Sequence, residues 1–343
     1  YEAVAEAVHR GESPNTLILL QPGSPYACLG YHQDLNKELD VDFLQKEGLP
    51  VIRRSQGGGA TYLDRDQVFY QIIFKETGVI PKDVEKMFER LLSVTVETYK
   101  RLGVPAGYKP LNDVVVEDRK ISGNGAGMHE SASILVGNVI LDLNYDLMAR
   151  VLRVPDEKFR DKMAKSMREW VTTLRRELGE PPTVGEVKAI YSNAFQDILG
   201  VDLVKGEPSE LEWEIFNEET KPRHTSREWL YMEAPPAKRR EGRAVKIAHD
   251  VKMVEADHKA KKLIRIRAEM MGQEIMSVQI RGDLFVIPKE AVATLEEMLA
   301  GVKLEEEELM NILDEFYDAT HAQTPGITAR DFKEALMKLK QNL

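Results

Sequence analysis

One cysteine, Cys28, stands in 343 residues. A single thiol cannot close an internal disulfide or build a cysteine-ligated metal site, and such scarcity fits a reducing, cytoplasmic setting. No uninterrupted apolar run approaches the ~20 residues a helix needs to span a bilayer. The residues from Tyr1 onward do not read as a charged-then-apolar secretory leader. Basic side chains are outnumbered, and the formal net charge of −10 argues against a general nucleic-acid binder. Internal repeats and low-complexity tracts are missing as well. What these absences leave is an acidic chain long enough for one large domain and a smaller one.

Strand and helix patterns alternate in the first 143 residues. Residues 40–47 open on acid and close before Gly48, which predicts a short helix. Pro50-Val51-Ile52 enters a strand, Gly57-Gly58-Gly59 interrupts it, and Gln67–Phe74 resumes it. A long helix is expected over 83–102, because Val84, Met87, Phe88, Leu91, Leu92, Tyr99 and Leu102 recur at spacings of three and four. Val114-Val115-Val116 and Lys120-Ile121, joined by Glu117-Asp118-Arg119, read as a hairpin. Residues 133–143 read as a buried strand. Helices dominate 146–216, and Thr183 with Glu186 forms a capping-box pattern whose helix stops before Gly200.

The composition then shifts. Pro235-Pro236, Lys238-Arg239-Arg240 and Arg243 mark a charged linker over 221–249, between a domain at 1–220 and a second at 250–343. That second unit is expected to hold strands at 264–270 and 274–286 and helices at 289–300, 304–317 and 330–340. The basic run at 238–243 reads as a solvated linker, with contact to an acidic partner as the alternative.

Two stretches carry candidate chemistry. In Arg53-Arg54-Ser55-Gln56-Gly57-Gly58-Gly59-Ala60-Thr61-Tyr62, three glycines let backbone N–H groups approach a ligand, and two arginines offer planar forks for phosphate or carboxylate. No Gly-Lys-Ser/Thr follows, so this is not the phosphate loop of nucleotide triphosphatases. A glycine-rich hairpin with surface arginines is the plain alternative. The second stretch is Asn112-Asp113, then Lys120-Ile121-Ser122-Gly123-Asn124. Asn112 and Asp113 supply hard oxygens of the kind Mg²⁺ accepts beside phosphates. Lys120 is a mobile point charge. Each of these taken singly also reads as a turn or a solvated side chain.

Taken together, Arg-Arg-x-x-Gly-Gly-Gly, Asn-Asp and Lys-x-Ser-Gly in this order resemble the biotin and lipoate protein ligase superfamily, the lipoate branch above all. Pro25 to Gln33, Gly137 to Asn144, Val154 to Phe159 and Ser166 to Thr172 are similar to further segments of that family, and Ile280-Arg281-Gly282-Asp283-Leu284-Phe285 is similar to its accessory domain. Two departures fall on the expected pocket wall. Leu63-Asp64 and Asp66-Gln67 stand where the family has His-Asp and Gly-Asn, and Val136-Gly137 stands where it has His-Gly.

The resemblance implies an α+β fold, with a large mixed-sheet ligase domain, flanking helices and a small C-terminal α/β accessory domain. It implies activation of lipoate by ATP with Mg²⁺ and transfer of the lipoyl group to a lysine of a lipoyl carrier domain or a glycine-cleavage-like carrier protein. Lys120 is implied as the catalytic residue. Arg53, Arg54, Gly57, Gly58, Gly59, Ala60, Thr61, Tyr62, Asn112, Asp113, Lys120 and Gly123 are implied at ATP and lipoyl-AMP. Gly58, Gly137 and Asn138 are implied at lipoate, and Asp113 and Asn112 at the metal. Related acyltransferases work through a cysteine near 154–156 or near 109–111, and this chain has none there. An acyltransferase and a non-enzymatic carrier-binding protein are the alternatives.

Overall fold

The computed structural model describes residues 1–75, 77–154, 156–232 and 251–343. By packing, the chain divides into two units. The first holds Tyr1–Leu29, Leu35–Arg53 and Ala60–Ser226; the second holds Gly30–Asp34, Arg54–Gly59 and Arg227–Leu343.

The first unit opens with α1 (Glu2–Arg10), β1 (Thr16–Leu20), β2 (Tyr26–Leu29), α2 (Leu35–Glu38), α3 (Val41–Lys46), β3 (Val51–Arg53), β4 (Thr61–Leu63) and β5 (Gln67–Phe74). It continues through α4 (Val84–Arg101), β6 (Gly107–Lys109), β7 (Asp113–Val116), β8 (Arg119–His129) and β9 (Ala132–Ile140). Helices α5 (Tyr145–Val151), α6 (Glu157–Trp170), α7 (Leu174–Leu178), α8 (Val184–Leu199), α9 (Glu210–Ile215) and α10 (Lys221–Thr225) follow, with a π-helical turn at Phe216–Thr220. Six strands form an antiparallel sheet in the order β1-β5-β9-β8-β7-β6. A second sheet, β3-β2-β4, pairs β2 with β3 in parallel and with β4 antiparallel, so the unit as a whole is mixed.

Local chemistry accounts for these elements. Asp83 caps α4 by accepting from the Lys86 amide, and Val84, Met87, Phe88, Leu91, Leu92, Thr95 and Tyr99 bury one stripe of the helix. The buried Tyr99 hydroxyl donates to the Ile121 carbonyl at 2.6 Å and accepts from the Ile140 amide at 3.2 Å, which fixes the helix to β8 and β9. Thr183 and Glu186 make the expected reciprocal box at the start of α8. Glu117 and Asp118 both take positive φ, 48° and 66°, the conformation that a two-residue hairpin turn requires.

The strand expected over 133–143 ends instead at Ile140, because the Leu141 and Asp142 amides turn to the Asp66 carbonyl. Gly137 in β9 allows a close approach. A Cβ there would stand 2.0 Å from Asn124 Oδ1 and 2.4 Å from the Tyr70 hydroxyl.

In the second unit, α11 (Arg227–Tyr231) precedes β10 (Val251–Lys259), β11 (Leu263–Met271) and β12 (Glu274–Gly282), an antiparallel meander. α12 (Ala291–Met298), α13 (Glu306–Thr320) and α14 (Ala329–Leu339) complete it. Ile264, Ile266, Ala268, Ile275, Val278 and Ile280 face a core shared with Leu295, Leu309, Leu313, Phe316, Phe332 and Leu336. Strand β10 was not foreseen, since its alternation is diluted by charge: Glu255 and Asp257 point outward and pair with Arg267 and Arg265. Strand β12 stops at Gly282, short of the expected Val286, where the Gly282 amide leaves the ladder for the His32 carbonyl. Within 221–249, residues 221–225 and 227–231 are helical, and the basic run at 238–243 lies outside the described residues. No helix among the described residues is long and apolar enough to cross a membrane.

Gly137→Ala is expected to destabilise the first unit by about 1–3 kcal/mol, the usual cost of forcing atoms into a filled interior. Urea denaturation checks it: the midpoint should fall with the slope unchanged.

Candidate functional site

Within the first unit a chain of hydrogen bonds runs from Tyr62 to Gly123, which Lys120 overlies. Gln67 donates to the Tyr62 carbonyl at 3.3 Å and accepts from the Asn138 amide at 2.8 Å. Asn138 Oδ1 in turn accepts from the Gly123 amide at 2.9 Å. The Lys120 side chain crosses Gly123 and meets the Asp113 carboxylate at 2.6 Å. On the far side of Gly123, Asn124 donates to the Asn112 carbonyl at 3.0 Å, and the Asn112 amide donates back to the Asn124 carbonyl. Asn124 Oδ1 accepts from the Tyr70 hydroxyl. Burial pushes that phenol up to about 12, so it remains a donor at working pH. Burial, and then Asp64, likewise raise Tyr62, which stays neutral.

Asn112, Asp113, Lys120, Gly123 and Asn138 thus lie together along β7, β8 and β9 of the first unit. Arg53 belongs to the same unit and is 0 % exposed. Thr61 and Tyr62 lie in β4 and Ala60 just before it. Lys120 and Asp113 are 38 % and 34 % exposed, so their pairing contributes little stability and chiefly sets where the ammonium rests. No group of three or more His, Cys, Asp or Glu among the described residues could hold a metal ion alone. Magnesium bound beside phosphates needs only one or two protein oxygens, a demand that the Asp113 carboxylate meets.

The glycine segment belongs to the second unit. Arg54 does not extend into solvent: its Nη2 donates to the Gly57 carbonyl at 2.8 Å and the Gly59 carbonyl at 2.9 Å, clasping its own loop. The Gly58 amide donates to the Leu284 carbonyl at 3.1 Å. A Cβ on Gly57 would fall 1.9 Å from that same carbonyl oxygen, so no other residue fits. Asp283 accepts from Gln33 Nε2 at 2.9 Å and lies beside Gly59. The glycines therefore serve the packing of the second unit's own backbone.

A model of the lipoyl protein ligase A/B catalytic domain matches residues 1–196, more than half of the chain. The chain belongs to this family. A second model, the bacterial lipoate protein ligase C-terminus, matches residues 261–336. Among curated members, the lipoate-protein ligase LplJ of Bacillus subtilis is 24% identical over 301 residues, covering 87% of this chain and 84% of that one. The octanoyltransferase LipM of Kyrpidia tusciae is 27% identical over 252 residues, covering 67% and 92%. Among solved structures, the bi-partite lipoate protein ligase of Thermoplasma acidophilum, described with its E2 lipoyl domain, is 28% identical with a TM-score of 0.61, covering 67% and 90%. A lipoate-protein ligase A bound with ATP shares the fold at 22% identity and a TM-score of 0.57, covering 67% and 92%.

Against this family background, sequence reasoning missed Gln67, Tyr70 and Asn124. Gln67 reads as a strand residue and a departure from the family pattern, yet it holds Asn138. Tyr70 was read as one more strand residue. Asn124 ends the Lys120-Ile121-Ser122-Gly123-Asn124 stretch, and the resemblance implies no role for it. A buried tyrosine and two amides at strand positions were the available signal, because such groups must find partners. Gly137 was expected in the lipoate pocket, and the space beside its Cα is filled by Tyr70 and Asn124.

Asn138→Ala leaves the Gly123 amide without its acceptor and Gln67 Oε1 without its donor. A loss of about 1–3 kcal/mol is expected from the stranded polar groups. Denaturation measures the loss, and the Gly123 amide proton should move upfield in NMR spectra; an unmoved resonance would contradict the network.

Proposed function

We propose that this chain is an ATP-dependent lipoate–protein ligase. Lipoate's carboxylate attacks the α-phosphate of ATP and pyrophosphate leaves, giving lipoyl-AMP. A carrier lysine amine then attacks the acyl carbonyl and AMP leaves. One observation carries ligase over transferase: the chain's one cysteine lies in the middle of a sheet. Cys28 is 6 % exposed in β2, paired with Ile52 on one side and Thr61 on the other. A transferase that works through a thioester needs an accessible thiolate nucleophile. Relatives carry both names, so the names do not decide between them.

Placing and neutralising charge is the main demand of adenylation. In this reading Lys120 spans the acyl carbonyl and the α-phosphate, where negative charge builds up. Arg53, Arg54 and the amides of Gly57, Gly58 and Gly59 hold phosphates, the Gly58 amide exchanging its bond to Leu284 for one to the ligand. Ala60, Thr61, Tyr62 and Gly123 border the adenylate. Asn112 and Asp113 hold Mg²⁺, which neutralises phosphate charge when bound. Gly58, Gly137 and Asn138 border lipoate, the last two through the Tyr70, Asn124 and Gly123 groups they pack or hold. The ATP-bound ligase of the same fold supports the nucleotide. The ligase described with its E2 lipoyl domain supports a lipoyl carrier as acceptor.

Lipoate-dependent pyrophosphate exchange tests the first step, and intact mass of an apo lipoyl domain tests the second. Lys120→Ala should lower exchange by roughly 10²–10³, the usual effect of deleting one such electrostatic donor. Cys28→Ser should modify the carrier at the wild-type rate with ATP and free lipoate. A thioester on Cys28, with no exchange in the wild type, would hand the chain to the acyltransferases.

A further inference from the structure

Of residues 158–170 in α6, only Ala164 is buried. Phe159 is 53 % exposed and Trp170 63 %. Spacings of four and seven put Phe159, Met163 and Trp170 on one face of the helix. Lys158, Lys162 and Lys165 form a second stripe beside it, all exposed and none ion-paired with a described residue. The helix's arginines are already engaged, Arg160 by Asp40 and Arg168 by Asp146. Glu169 closes the lysine stripe, and Asp161 lies off it. In a chain of net charge −10, this is a local surplus of the opposite sign.

The helix also leads into the candidate site. Val171, the next residue, forms a parallel bridge with Lys120, and the Thr172 amide donates to the Lys120 carbonyl at 2.8 Å. Trp170 therefore stands one residue from the backbone that holds the proposed catalytic lysine. Exposed aromatics flanked by cations, continuous with a reaction site, have the composition of a docking surface with a buried anchor and a charged rim.

We infer that the Phe159–Met163–Trp170 face of α6, with Lys158, Lys162 and Lys165 beside it, docks the acceptor, an acidic carrier domain. The carrier's apolar surface covers the aromatics, its carboxylates meet the lysines, and its acceptor lysine is delivered toward Lys120. The inference rests on the proposed transfer to a carrier lysine. The basic rim sets encounter rate and orientation, and the aromatics set residence time.

The test compares the full chain with Trp170→Ala and with Lys162→Glu/Lys165→Glu. An apo E2 lipoyl domain of net negative charge is titrated as acceptor, with ATP, Mg²⁺ and lipoate saturating. Each variant is expected to raise the carrier KM about tenfold or more, as loss of an interface anchor does, while pyrophosphate exchange stays within about twofold of wild type. The defect of the charge-reversed variant should shrink as salt is raised. An unchanged carrier KM overturns the inference. So does an equal fall in pyrophosphate exchange, which would place α6 in adenylation. A wild-type dimer that Trp170→Ala dissociates at unchanged carrier KM assigns the face to a second copy and also overturns it. If the wild type shows no exchange at all, the ligase reading fails, and direct calorimetric binding of the lipoyl domain decides the docking question: weaker binding by the variants sustains it, and equal binding rejects it.

Discussion

Asn124 is buried at the point where β8 leaves β7 and joins β9, and its hydrogen-bonding capacity is spent on holding that junction. Its amide donates to the Asn112 carbonyl and the Ser122 hydroxyl, and its Oδ1 accepts from Tyr70. Its backbone carbonyl accepts from the Asn112 side chain. A buried amide with a missing partner costs about 1–3 kcal/mol, so each of these groups constrains the others. Gly137 follows from the same constraint, since any Cβ there would displace the very atoms that satisfy Asn124. Lys120, Gly123 and Asn138 are positioned as a consequence, because they hang from the strands this junction fixes.

The triple glycine has two physical explanations that sequence cannot separate. Freedom from Cβ atoms suits a phosphate cradle, and it equally suits close packing of one backbone on another. The structure supplies the second at Gly57 and Gly58, where the Leu284 carbonyl sits against the loop. Arg54, which looks from sequence like a ligand-facing fork, closes the loop on itself. The loop's conformation is therefore set by contacts within the second unit.

Periodic and capped elements were legible in the sequence. The long helix α4, the boxed helix α8 and the β7–β8 hairpin fall where spacing and caps place them, since local chemistry determines each. Strand β10 was not legible because its outer face carries paired charges, which hide the apolar alternation. The ends of β9 and β12 were misjudged for a different reason: tertiary acceptors, the carbonyls of Asp66 and His32, draw amides away from each ladder. At the candidate site, charged residues announced themselves by type. The amides and the phenol that tie the strands beneath them did not, because a polar residue's partners depend on which strands become neighbours.

Lys120 combines a fixed stem with a loosely held head. Its carbonyl accepts from Thr172, the next carbonyl accepts from Tyr99, and Gly123 lies beneath its side chain, so the backbone has little freedom. The ammonium is held by Asp113 in a pair about a third exposed on each side, an interaction worth no more than roughly 1 kcal/mol. Such a partner is exchanged at small cost when a phosphate or a carboxylate arrives. A buried Lys–Asp pair would behave otherwise, since separating it strands a charge at several kcal/mol. Partial exposure of the pair is therefore what would let Lys120, in the proposed adenylation, leave Asp113 for a charged substrate, while the rigid strand beneath it would keep the distance it must cover short.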